Sequence, residues 1–453
     1  MGGATGEARG LGFAEALQCV LRHAAGLPAP GTERVTLLDS VGRVLAEEVR
    51  ADRDQPPFDR ATRDGFAVRA DEWSSGRRLR VVGAVRAGEV WLGGSIRAGE
   101  ALEIMTGAAL PSGVDAVAMI EHAEQSEGHV WAAVGRELRA EENVVRRGSE
   151  ARRGEALLPP GRSIGAAELA LAAACGCAEI AVRKRPSVAI VATGDELVEL
   201  DETPENHQIR NSNGYALAAM VEAAGGQAKR LSIARDTRES LRERIAEGRK
   251  SELLLLSGGV SVGKYDLVEE VLAEAGAEFY FTGVRMQPGR PVVFGRLRKA
   301  ASQRVSELES QRDGVLIGTG FSPSASAVKS RGALAHEESG SAWSYFFGLP
   351  GNPVSTQVTF HCFVAPMLRA ICGAGVAGPR FVQATLAEDA KGKKGLTRIL
   401  PAILRHDLER PLVRIVESHG SGDLAANARA NCYTVLPEGR DCKAGDVISV
   451  LLR

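Results

Sequence analysis

The sequence has no apolar run that approaches the roughly 20 residues a membrane-spanning helix needs. Its first ten residues lack the charged start and apolar core of a signal peptide. It also lacks an excess of charge of either sign, because 56 Lys and Arg residues stand against 57 Asp and Glu residues. We therefore expect a cytoplasmic protein that binds neither a membrane nor nucleic acid.

Cysteine is scarce, and the seven residues are odd in number and scattered. This distribution is typical of reduced thiols and excludes a disulfide framework as the basis of the fold. Cys175 and Cys177 have no His or Cys partner at the spacing of a zinc site, so we interpret them as structural. The composition, 44% hydrophobic and 25% charged over 453 residues, indicates a globular protein of several domains.

One glycine-rich segment invites comparison with nucleotide-binding loops. Residues 253–268, "LLLLSGGVSVGKYDLV", place Gly258, Gly263 and Lys264 at the spacing of a P-loop. A P-loop requires Ser or Thr after the Lys to hold Mg²⁺, and Tyr265 stands there instead. We therefore do not expect a P-loop nucleotide triphosphatase, and we interpret Lys264 as a surface residue or an outer contact of the ligand.

The pattern of apolar residues changes along the chain. Residues 11–26 predict a helix, and residues 30–185 predict small β-rich modules with one short helix opened by Ser163. From Pro186 onwards strands alternate with helices, which predicts a parallel, doubly wound sheet. After residue 377 short β patterns return and predict a compact C-terminal β domain.

A polar stretch interrupts the alternation of strands and helices. Residues 296–343 are rich in Ser, Arg and Gly and carry little apolar pattern. A connection this long inside a compact domain is usually a lid or a mobile insertion. We expect a mobile insertion, with a lid as the alternative.

Polar or glycine-rich segments follow the predicted strands of the α/β region: residues 193–196, Asp236, residues 257–266 and residues 350–355. Because the carboxyl ends of parallel strands meet at one edge of a sheet, these segments should converge there. Glycines let backbone N–H groups approach a phosphate, and carboxylates beside that phosphate require a divalent cation between them. The residues therefore predict a Mg²⁺-dependent site for a phosphorylated or adenylylated ligand.

Each of these segments also has a purely structural interpretation. A "GDE" sequence after a strand is commonly a turn, and Asp236 is a candidate N-cap for the helix that follows it. The "PGNP" sequence is a candidate stiff turn, with Ser355 capping the next helix. The placement of all four segments at one predicted edge favours a functional site.

A set of ordered motifs narrows the interpretation. They are "PPFDRATRDGFAVRADE" (56–72), "IMTGAALPSGVDAV" (104–117), "RPSVAIVATGDELV" (185–198), "QIRNSNGYAL" (208–217), "LSGGVSVGKYD" (256–266), "MQPGRPVVFG" (286–295) and "FGLPGNPVS" (347–355). In this order they resemble the molybdopterin molybdenumtransferases, a family that includes bacterial MoeA and the gephyrin E-domain. The resemblance runs from about residue 11 to 453, apart from residues 296–343.

The resemblance implies a multidomain fold of the α/β plus β class and a homodimer whose active sites are each built from both chains. The implied domains are an extended β linker domain (27–53 and 145–185), an inserted β domain (54–144), a doubly wound molybdopterin-binding α/β domain (1–26 and 186–375) and a C-terminal β domain (376–453).

The resemblance also implies a reaction, in which molybdate is inserted into the dithiolene of adenylylated molybdopterin with Mg²⁺-dependent loss of AMP. The protein partners it suggests are the molybdopterin adenylyltransferase and the apoenzymes that receive the molybdenum cofactor. Two other functions stay open. The first is the adenylyltransferase itself. The amino-terminal 185 residues and the C-terminal β domain argue against this function. The second is a non-catalytic scaffold of the same fold, which would not need the acidic residues.

Matched position by position, the family's motifs imply the roles of individual residues. The implied catalytic residues are Asp64, Thr106, Glu196, Asp236, Asp266, Pro350 and Pro353, of which Glu196, Asp236 and Asp266 would bind the metal. The implied ligand-binding residues are Asn211, Asn213, Ser257, Gly258, Gly259, Ser261, Gly263, Arg290, Gly351, Asn352, Ser355 and Ser421. We assign Asp64 and Thr106 to the contribution that each chain makes to the site of its partner.

The chain departs from the family pattern in its basic residues. Arg63 stands where the family usually has Met, and Gln287 stands where it often has Lys. Pro401 occupies the place of an expected Arg, while Arg398 lies three residues earlier. Because fixed positive charges bind anions, these departures bear on how the chain would hold an oxyanion.

Overall fold

The computed structural model describes residues 10–259, 267–299, 342–406 and 410–453. Its α-helices are α1 (Phe13–Ala25), α2 (Ala70–Ser74), α3 (Ala166–Ala174), α4 (Ser212–Ala223), α5 (Arg238–Gly248), α6 (Leu267–Glu274), α7 (Pro353–Thr359), α8 (Ala365–Ile371) and α9 (Leu424–Arg429). A π-helical turn, Phe360–Val364, joins α7 to α8. Across these ranges no helix has the length and apolarity needed to cross a membrane.

The strands are numbered in chain order. They are β1 (Thr32–Thr36), β2 (Val49–Arg50), β3 (Arg60–Ala61), β4 (Gly65–Val68), β5 (Leu79–Val85), β6 (Glu100–Ile104), β7 (Ala116–Met119), β8 (Ala123–Ser126), β9 (His129–Ala132), β10 (Val144–Val145), β11 (Ala156–Leu158), β12 (Glu179–Arg183), β13 (Ser187–Ala192), β14 (Leu197–Val198), β15 (Ile209–Arg210), β16 (Gln227–Arg230), β17 (Leu253–Ser257), β18 (Glu278–Thr282), β19 (Met286–Gln287), β20 (Val293–Arg298), β21 (Trp343–Leu349), β22 (Phe381–Leu386), β23 (Thr397–His406), β24 (Pro411–Ile415), β25 (Cys432–Leu436) and β26 (Val447–Leu452).

The chain divides into two compact units. The first contains the chain up to Arg34, Gly42–Ala46 and Ala181–Arg453, and the second contains Val35–Val41 and Glu47–Ile180. The α/β region and the C-terminal β region thus belong to one unit. The finer division into four domains stays a prediction.

The first unit is built on a six-stranded sheet with the order β16-β13-β17-β21-β20-β18. The first four strands are mutually parallel, as the sequence predicts, but β20 is antiparallel to both β21 and β18. The connection from β18 to β20 is too short for the crossover that a parallel pair requires. The sheet therefore has a parallel core with an antiparallel edge.

Alternating side chains of the central strands serve two separate cores. Val188 and Ile190 pack on the side of α1, α4, α7 and α8, together with Leu253 and Leu255. Ala189 and Val191 pack with Leu254 and Leu256 against α5 and α6 on the other side. Because successive side chains of a strand point to opposite faces, a continuous apolar run supplies both cores. The predicted doubly wound arrangement is confirmed.

The predicted insertion at 296–343 begins and ends within strands. Residues up to Arg298 belong to β20, and Trp343 begins β21, so both edges of the prediction were wrong. Arg298 faces Trp343 in the antiparallel pair, and the Lys299 N–H donates to the Ala342 carbonyl at 3.0 Å. Residues 300–341, on which the expectation of mobility falls, lie outside the described residues.

The C-terminal β region closes on itself. Its strands follow the order β23-β24-β22-β26-β25, and β25 pairs again with β23 to complete a barrel. The short strand β19, which comes from the α/β region, adds to β23 in parallel. The predicted C-terminal β domain is confirmed, and β19 ties it to the α/β region.

The second unit contains a sheet with the order β7-β4-β6-β5-β9-β8 and the short ladders β2–β11 and β3–β10. Helix α3 begins at Ala166, where the Gly165 N–H donates to the Glu168 carboxylate at 3.0 Å. The prediction that Ser163 opens this helix was wrong, because Glu168 already satisfies the N–H group at the helix start.

Candidate functional site

A large cleft lies in the first unit where the carboxyl ends of β13, β17 and β21 approach the C-terminal barrel. Its volume is about 1180 Å³. The α/β side contributes residues 192–194, Glu196, Leu197, 209–213, Asp236, 257–259 and 350–355, and the other side contributes residues around Gln287, Arg398 and Ser421. The structure thus brings the described parts of all four predicted segments into one cleft.

Three carboxylates form an acidic corner: Glu196 and Asp236 line the cleft, and Asp195 lies beside Asp236. Thr193 pairs with Ala234 by a parallel bridge beyond β13, which brings Asp236 beside the 193–196 turn. The Asp236 N–H donates to the Asp195 carboxylate at 3.2 Å. Partial burial and the negative charges of Asp195 and Glu196 raise the pKa of Asp236 above its ordinary value of 3.8. The corner therefore concentrates negative charge.

Asp236 does not cap the helix that follows it. The N-cap of α5 is Thr237, whose hydroxyl accepts the Ser240 N–H at 3.3 Å. The alternative interpretation of Asp236 as a helix cap was wrong, since the next residue has that role. The Asp236 carboxylate is left to face the cleft.

The glycines after β17 are held close to the 193–196 turn. Gly258 has a φ of +102°, and a Cβ placed on it would lie 2.3 Å from the Thr193 carbonyl oxygen. Gly259 has a φ of +66°, and a Cβ there would lie 2.5 Å from Val268. Both positions require glycine because the backbone is left-handed and its surroundings leave no space. Ser261, Gly263 and Asp266 lie outside the described residues.

The two asparagines at the start of α4 have different contacts. Asn211 is buried and caps the helix by accepting the Gly214 N–H at 2.9 Å. Asn213 donates to the Ser257 hydroxyl at 2.9 Å and to the Gly351 carbonyl at 2.7 Å. It therefore joins the glycine loop after β17 to the turn after β21.

The "PGNP" segment forms the turn into α7. Asn352 occupies the N-cap position and Pro353 the first helical position, while Ser355 is buried within the first turn. The interpretation of Ser355 as the cap was wrong, because the helix begins two residues before it. The Val354 N–H donates to the Ser421 carbonyl at 3.0 Å, which docks the loop after β24 onto this helix.

The other side of the cleft comes from three segments at or near the barrel. Gln287, Pro288, Gly289 and Pro291 line it, followed by Arg398, Leu400 and Pro401 and by the loop 418–424. Arg290, a predicted ligand-binding residue, is exposed, and its side chain is not part of the described lining of the cleft. Four buried polar atoms of the cleft have no hydrogen-bond partner: Thr193 Oγ1, Asn213 Oδ1, Gln287 Oε1 and Arg398 Nε. Buried groups of this kind are expected to be satisfied by a ligand or by water.

Asp64 and Thr106 lie in the second unit and contact each other directly. The Thr106 backbone N–H and hydroxyl both donate to Asp64 Oδ1, each at 2.7 Å. These two hydrogen bonds lower the pKa of Asp64. The neighbouring Arg63 donates to the Thr62 carbonyl, and within the described ranges it makes no ion pair with Asp64. The carboxylate is thus ionised and oriented by Thr106.

Of the three predicted metal ligands, only two lie within the described residues. Among the described residues no group of three His, Cys, Asp or Glu side chains has the arrangement of a metal site. Glu196 and Asp236 line the same cleft, and Asp266 lies outside the described residues. The clustered carboxylates of the acidic corner repel one another, and carboxylate oxygens are the ligands that a hard divalent cation prefers. The chemistry of the corner therefore fits Mg²⁺.

The sequence-based prediction missed several residues in the cleft or beside it. Asp195 belongs to the predicted turn but was given no role, although its charge raises the pKa of Asp236. Arg210 lines the cleft, with its Nε donating to the Leu200 carbonyl at 3.3 Å. Thr193 Oγ1 was also missed, and no local pattern identifies a buried hydroxyl at a strand end as a site residue.

The fold and the cleft define a class of protein: a multidomain α/β and β protein with an acidic, glycine-lined binding cleft at the carboxyl edge of its sheet. Sequence profiles show which family this is. The MoeA N-terminal region (domain I and II) matches residues 11–176, the probable molybdopterin binding domain matches residues 189–370, and the MoeA C-terminal region (domain IV) matches residues 383–452.

Individual relatives agree with these profiles. The chain is 31% identical over 447 residues to the molybdopterin molybdenumtransferase of Staphylococcus aureus strain COL, covering 97% of this chain and 94% of the relative. It is 30% identical over 427 residues to that of Staphylococcus epidermidis strain RP62A, covering 92% and 90%. A crystal structure of the molybdopterin biosynthesis MoeA protein from Pyrococcus horikoshii OT3 superposes with a TM-score of 0.73 at 25% identity, covering 98% and 100%. The chain belongs to the molybdopterin molybdenumtransferase family, whose members are transferases of molybdenum cofactor biosynthesis.

Proposed function

We propose that this chain inserts molybdate into adenylylated molybdopterin with Mg²⁺-dependent release of AMP. The observation that carries the proposal is the shared cleft of about 1180 Å³, which both the glycine loop and the acidic corner line. A phosphate-bearing ligand needs the backbone N–H groups of the glycine loop, and a cation that balances the charge of this ligand needs the carboxylates of the acidic corner. Membership of the family supplies the substrate class.

The acidic corner would bind the magnesium ion. Glu196 and Asp236 supply carboxylate oxygens, and Asp266 is proposed as a third ligand from the resemblance. A bound Mg²⁺ supplies charge neutralisation for the diphosphate bridge and polarises its oxygens. The raised pKa of Asp236 supports this proposal, because burial disfavours its charged form, Asp195 and Glu196 add repulsion, and a cation placed here would offset both effects.

The glycine loop and the turn after β21 would orient the diphosphate. Gly258 and Gly259 expose backbone at a position where any side chain would collide with Thr193 or Val268. Asn213 holds this loop and Gly351 at a defined separation through its two donated hydrogen bonds. Because the glycine loop and this turn are ordered in advance, the entropic cost of aligning the phosphoanhydride bond that breaks when AMP leaves is reduced.

The remaining parts of the proposal concern partners. We propose a homodimer in which Asp64 and Thr106 serve the site of the partner chain. The pair of hydrogen bonds from Thr106 keeps Asp64 ionised, which suits a carboxylate that binds or orients a charged substrate. The molybdopterin adenylyltransferase and recipient apoenzymes are proposed as protein partners from the resemblance.

The deciding experiment incubates the purified protein with adenylylated molybdopterin, MgCl₂ and molybdate. We expect AMP release that depends on Mg²⁺ and molybdate, together with protein-bound molybdenum measured by mass spectrometry. Consumption of ATP with free molybdopterin would instead identify an adenylyltransferase. Absence of turnover in both assays would identify a non-catalytic scaffold and end the proposal.

A further inference from the structure

The side chain of Arg235 is bonded to the turn that carries Glu196. Its Nη1 donates to the Asp195 carbonyl at 3.1 Å and to the Leu197 carbonyl at 3.3 Å. The Glu196 carbonyl, which lies between these two in the chain, accepts the Ile209 N–H at 2.8 Å. All three consecutive carbonyls of the turn are therefore engaged, and a single guanidinium engages two of them.

The backbone of Arg235 is anchored to the start of α5. Its N–H donates to the Ser240 hydroxyl at 3.0 Å, and its carbonyl accepts the Thr237 N–H at 2.7 Å. Asp236 is the next residue in the chain. Arg235 therefore joins the segment that presents Asp236 to the turn that presents Glu196, although the two are distant in sequence.

The Glu196 carboxylate lies against the backbone of its own turn. A Cβ placed on Gly194 would lie 2.4 Å from Glu196 Oε2 and 2.8 Å from Glu196 Oε1, so the carboxylate occupies the space that the glycine leaves. The same residue lines the cleft. Because the side chain packs on its own turn, the position of this carboxylate in the cleft follows the position of the turn.

Arg235 acts from outside the cleft. It lines a neighbouring pocket of about 610 Å³, together with Tyr215 and Arg230, and is not part of the described lining of the cleft. Its positive charge nevertheless lies close to the acidic corner, where charge alone opposes the binding of a cation. Its two effects on a metal ion therefore have opposite signs, since positioning of the turn favours binding and charge disfavours it.

We infer that Arg235 is a positioning residue for Mg²⁺ binding, which fixes the turn that presents the Glu196 carboxylate in the corner it shares with Asp236. This inference rests on the proposed function, in which the corner binds Mg²⁺. Groups that orient metal ligands without contacting the metal contribute to its affinity, and the loss of one typically lowers that affinity roughly 10- to 100-fold. A guanidinium suits this role because each terminal nitrogen carries two N–H groups and the charge is permanent.

Binding of Mn²⁺, a paramagnetic substitute for Mg²⁺, to the full-length protein tests this inference by electron paramagnetic resonance. We expect Arg235→Gln to weaken Mn²⁺ affinity about tenfold or more, whereas the loss of charge alone would tighten it. Arg235→Lys keeps the charge and a donor, and should recover part of the affinity. Arg242→Gln, at an exposed arginine of α5 that bonds Glu274, is the matched control and should bind Mn²⁺ as the wild type does.

The outcomes separate this inference from the proposed function. Equal or tighter Mn²⁺ binding by Arg235→Gln would overturn it, as would a wild type that binds no Mn²⁺ or an equal loss in Arg242→Gln. If far-UV circular dichroism shows that Arg235→Gln does not fold, Arg235→Lys decides, because wild-type affinity in that variant would show that charge alone matters. Weaker binding by Arg235→Gln alone supports the inference even if the wild type releases no AMP, in which case only the proposed function fails.

Discussion

Asp236 shows how a single residue is given its chemistry by neighbours that are distant in sequence. Its carboxylate follows a strand end and looks like a helix cap, yet Thr237 caps the helix and leaves Asp236 against Asp195 and Glu196. The raised pKa means that the folded protein holds a proton on Asp236 more tightly than the unfolded chain does. Burial and repulsion of the ionised carboxylate therefore destabilise the fold at neutral pH, and their effect vanishes once the pH falls below the ordinary value of 3.8.

Asp236→Asn should lower AMP release at least about 100-fold while keeping the fold, because it removes a proposed metal ligand and not a core side chain. In the absence of metal the variant should melt at the same temperature as the wild type or slightly higher at pH 7. Added MgCl₂ should raise the melting temperature of the wild type more than that of the variant. Differential scanning fluorimetry with and without Mg²⁺ measures both effects.

The control for this prediction is Asp201→Asn, an exposed carboxylate outside the cleft. It should leave AMP release and the response to Mg²⁺ unchanged. A variant at Asp236 that keeps wild-type turnover would remove this residue from the proposed site.

His361 gives a second prediction at the residue scale, this time for stability. Burial, reinforced by the charges of Arg453 and Arg369, lowers its pKa from 6.5 to about 4. Between pH 6.5 and about pH 4, His361 is protonated in the unfolded chain and stays neutral in the folded chain. The free energy of unfolding therefore falls as the pH falls through this window. We expect roughly 3 kcal/mol to be lost from this group between pH 7 and pH 4.

Thermal unfolding of His361→Gln should therefore depend less on pH than that of the wild type across this range. His207→Gln, at an exposed position, should follow the wild-type curve. Parallel pH dependence in all three proteins would show that other groups dominate acid sensitivity.

At the scale of elements, the loop after β17 depends on glycine for two separable reasons. Gly258 and Gly276 both have a positive φ, but a Cβ on Gly258 would lie 2.3 Å from the Thr193 carbonyl oxygen whereas one on Gly276 meets nothing within 4 Å. Gly276→Ala should cost about 1 kcal/mol from the left-handed backbone alone. Gly258→Ala should cost several times more and also abolish substrate binding, since the loop must move away from Thr193.

Urea unfolding monitored by intrinsic fluorescence compares the two variants. A similar shift of the midpoint in both would show that the contact with Thr193 contributes nothing. In that case the loop would have room for a side chain, and its proposed close approach to phosphate would lose its support.

The elements themselves were predictable where the local pattern carries the information. Helix α1 and the strands β13, β17 and β21 follow from apolar periodicity, and their order gives the doubly wound class. The antiparallel edge made by β18 and β20 was not predicted, because a strand's direction depends on its partner. The short strand β19 was missed for a related reason, since it exists only by pairing with β23.

At the scale of the whole molecule, the segment 300–341 can be tested as a unit. Its flanking residues Lys299 and Ala342 are joined by a backbone hydrogen bond at the start of β21, while the cleft lies beyond the other end of that strand at Pro350. A strand of seven residues separates the two by roughly 23 Å. The flanks are thus positioned away from the proposed chemistry.

Replacing residues 300–341 with Asn-Gly should join β20 to β21 as a tight hairpin, because Lys299 and Ala342 already face each other. We expect AMP release within twofold of the wild type and an unchanged melting temperature. A large loss of turnover with intact folding would favour the alternative of a lid that reaches the cleft. Replacement of the same segment with a flexible linker of equal length controls for chain length.

The sequence by itself determined which faces of the strands are buried and which family motifs are present, because these depend on side-chain chemistry and local pattern. Only the tertiary structure decided that Thr237 caps α5 in place of Asp236, that β20 runs antiparallel and that Arg398 faces Gln287. Those outcomes depend on pairing between segments far apart in the chain, and pairing is selected by the packing of the whole unit.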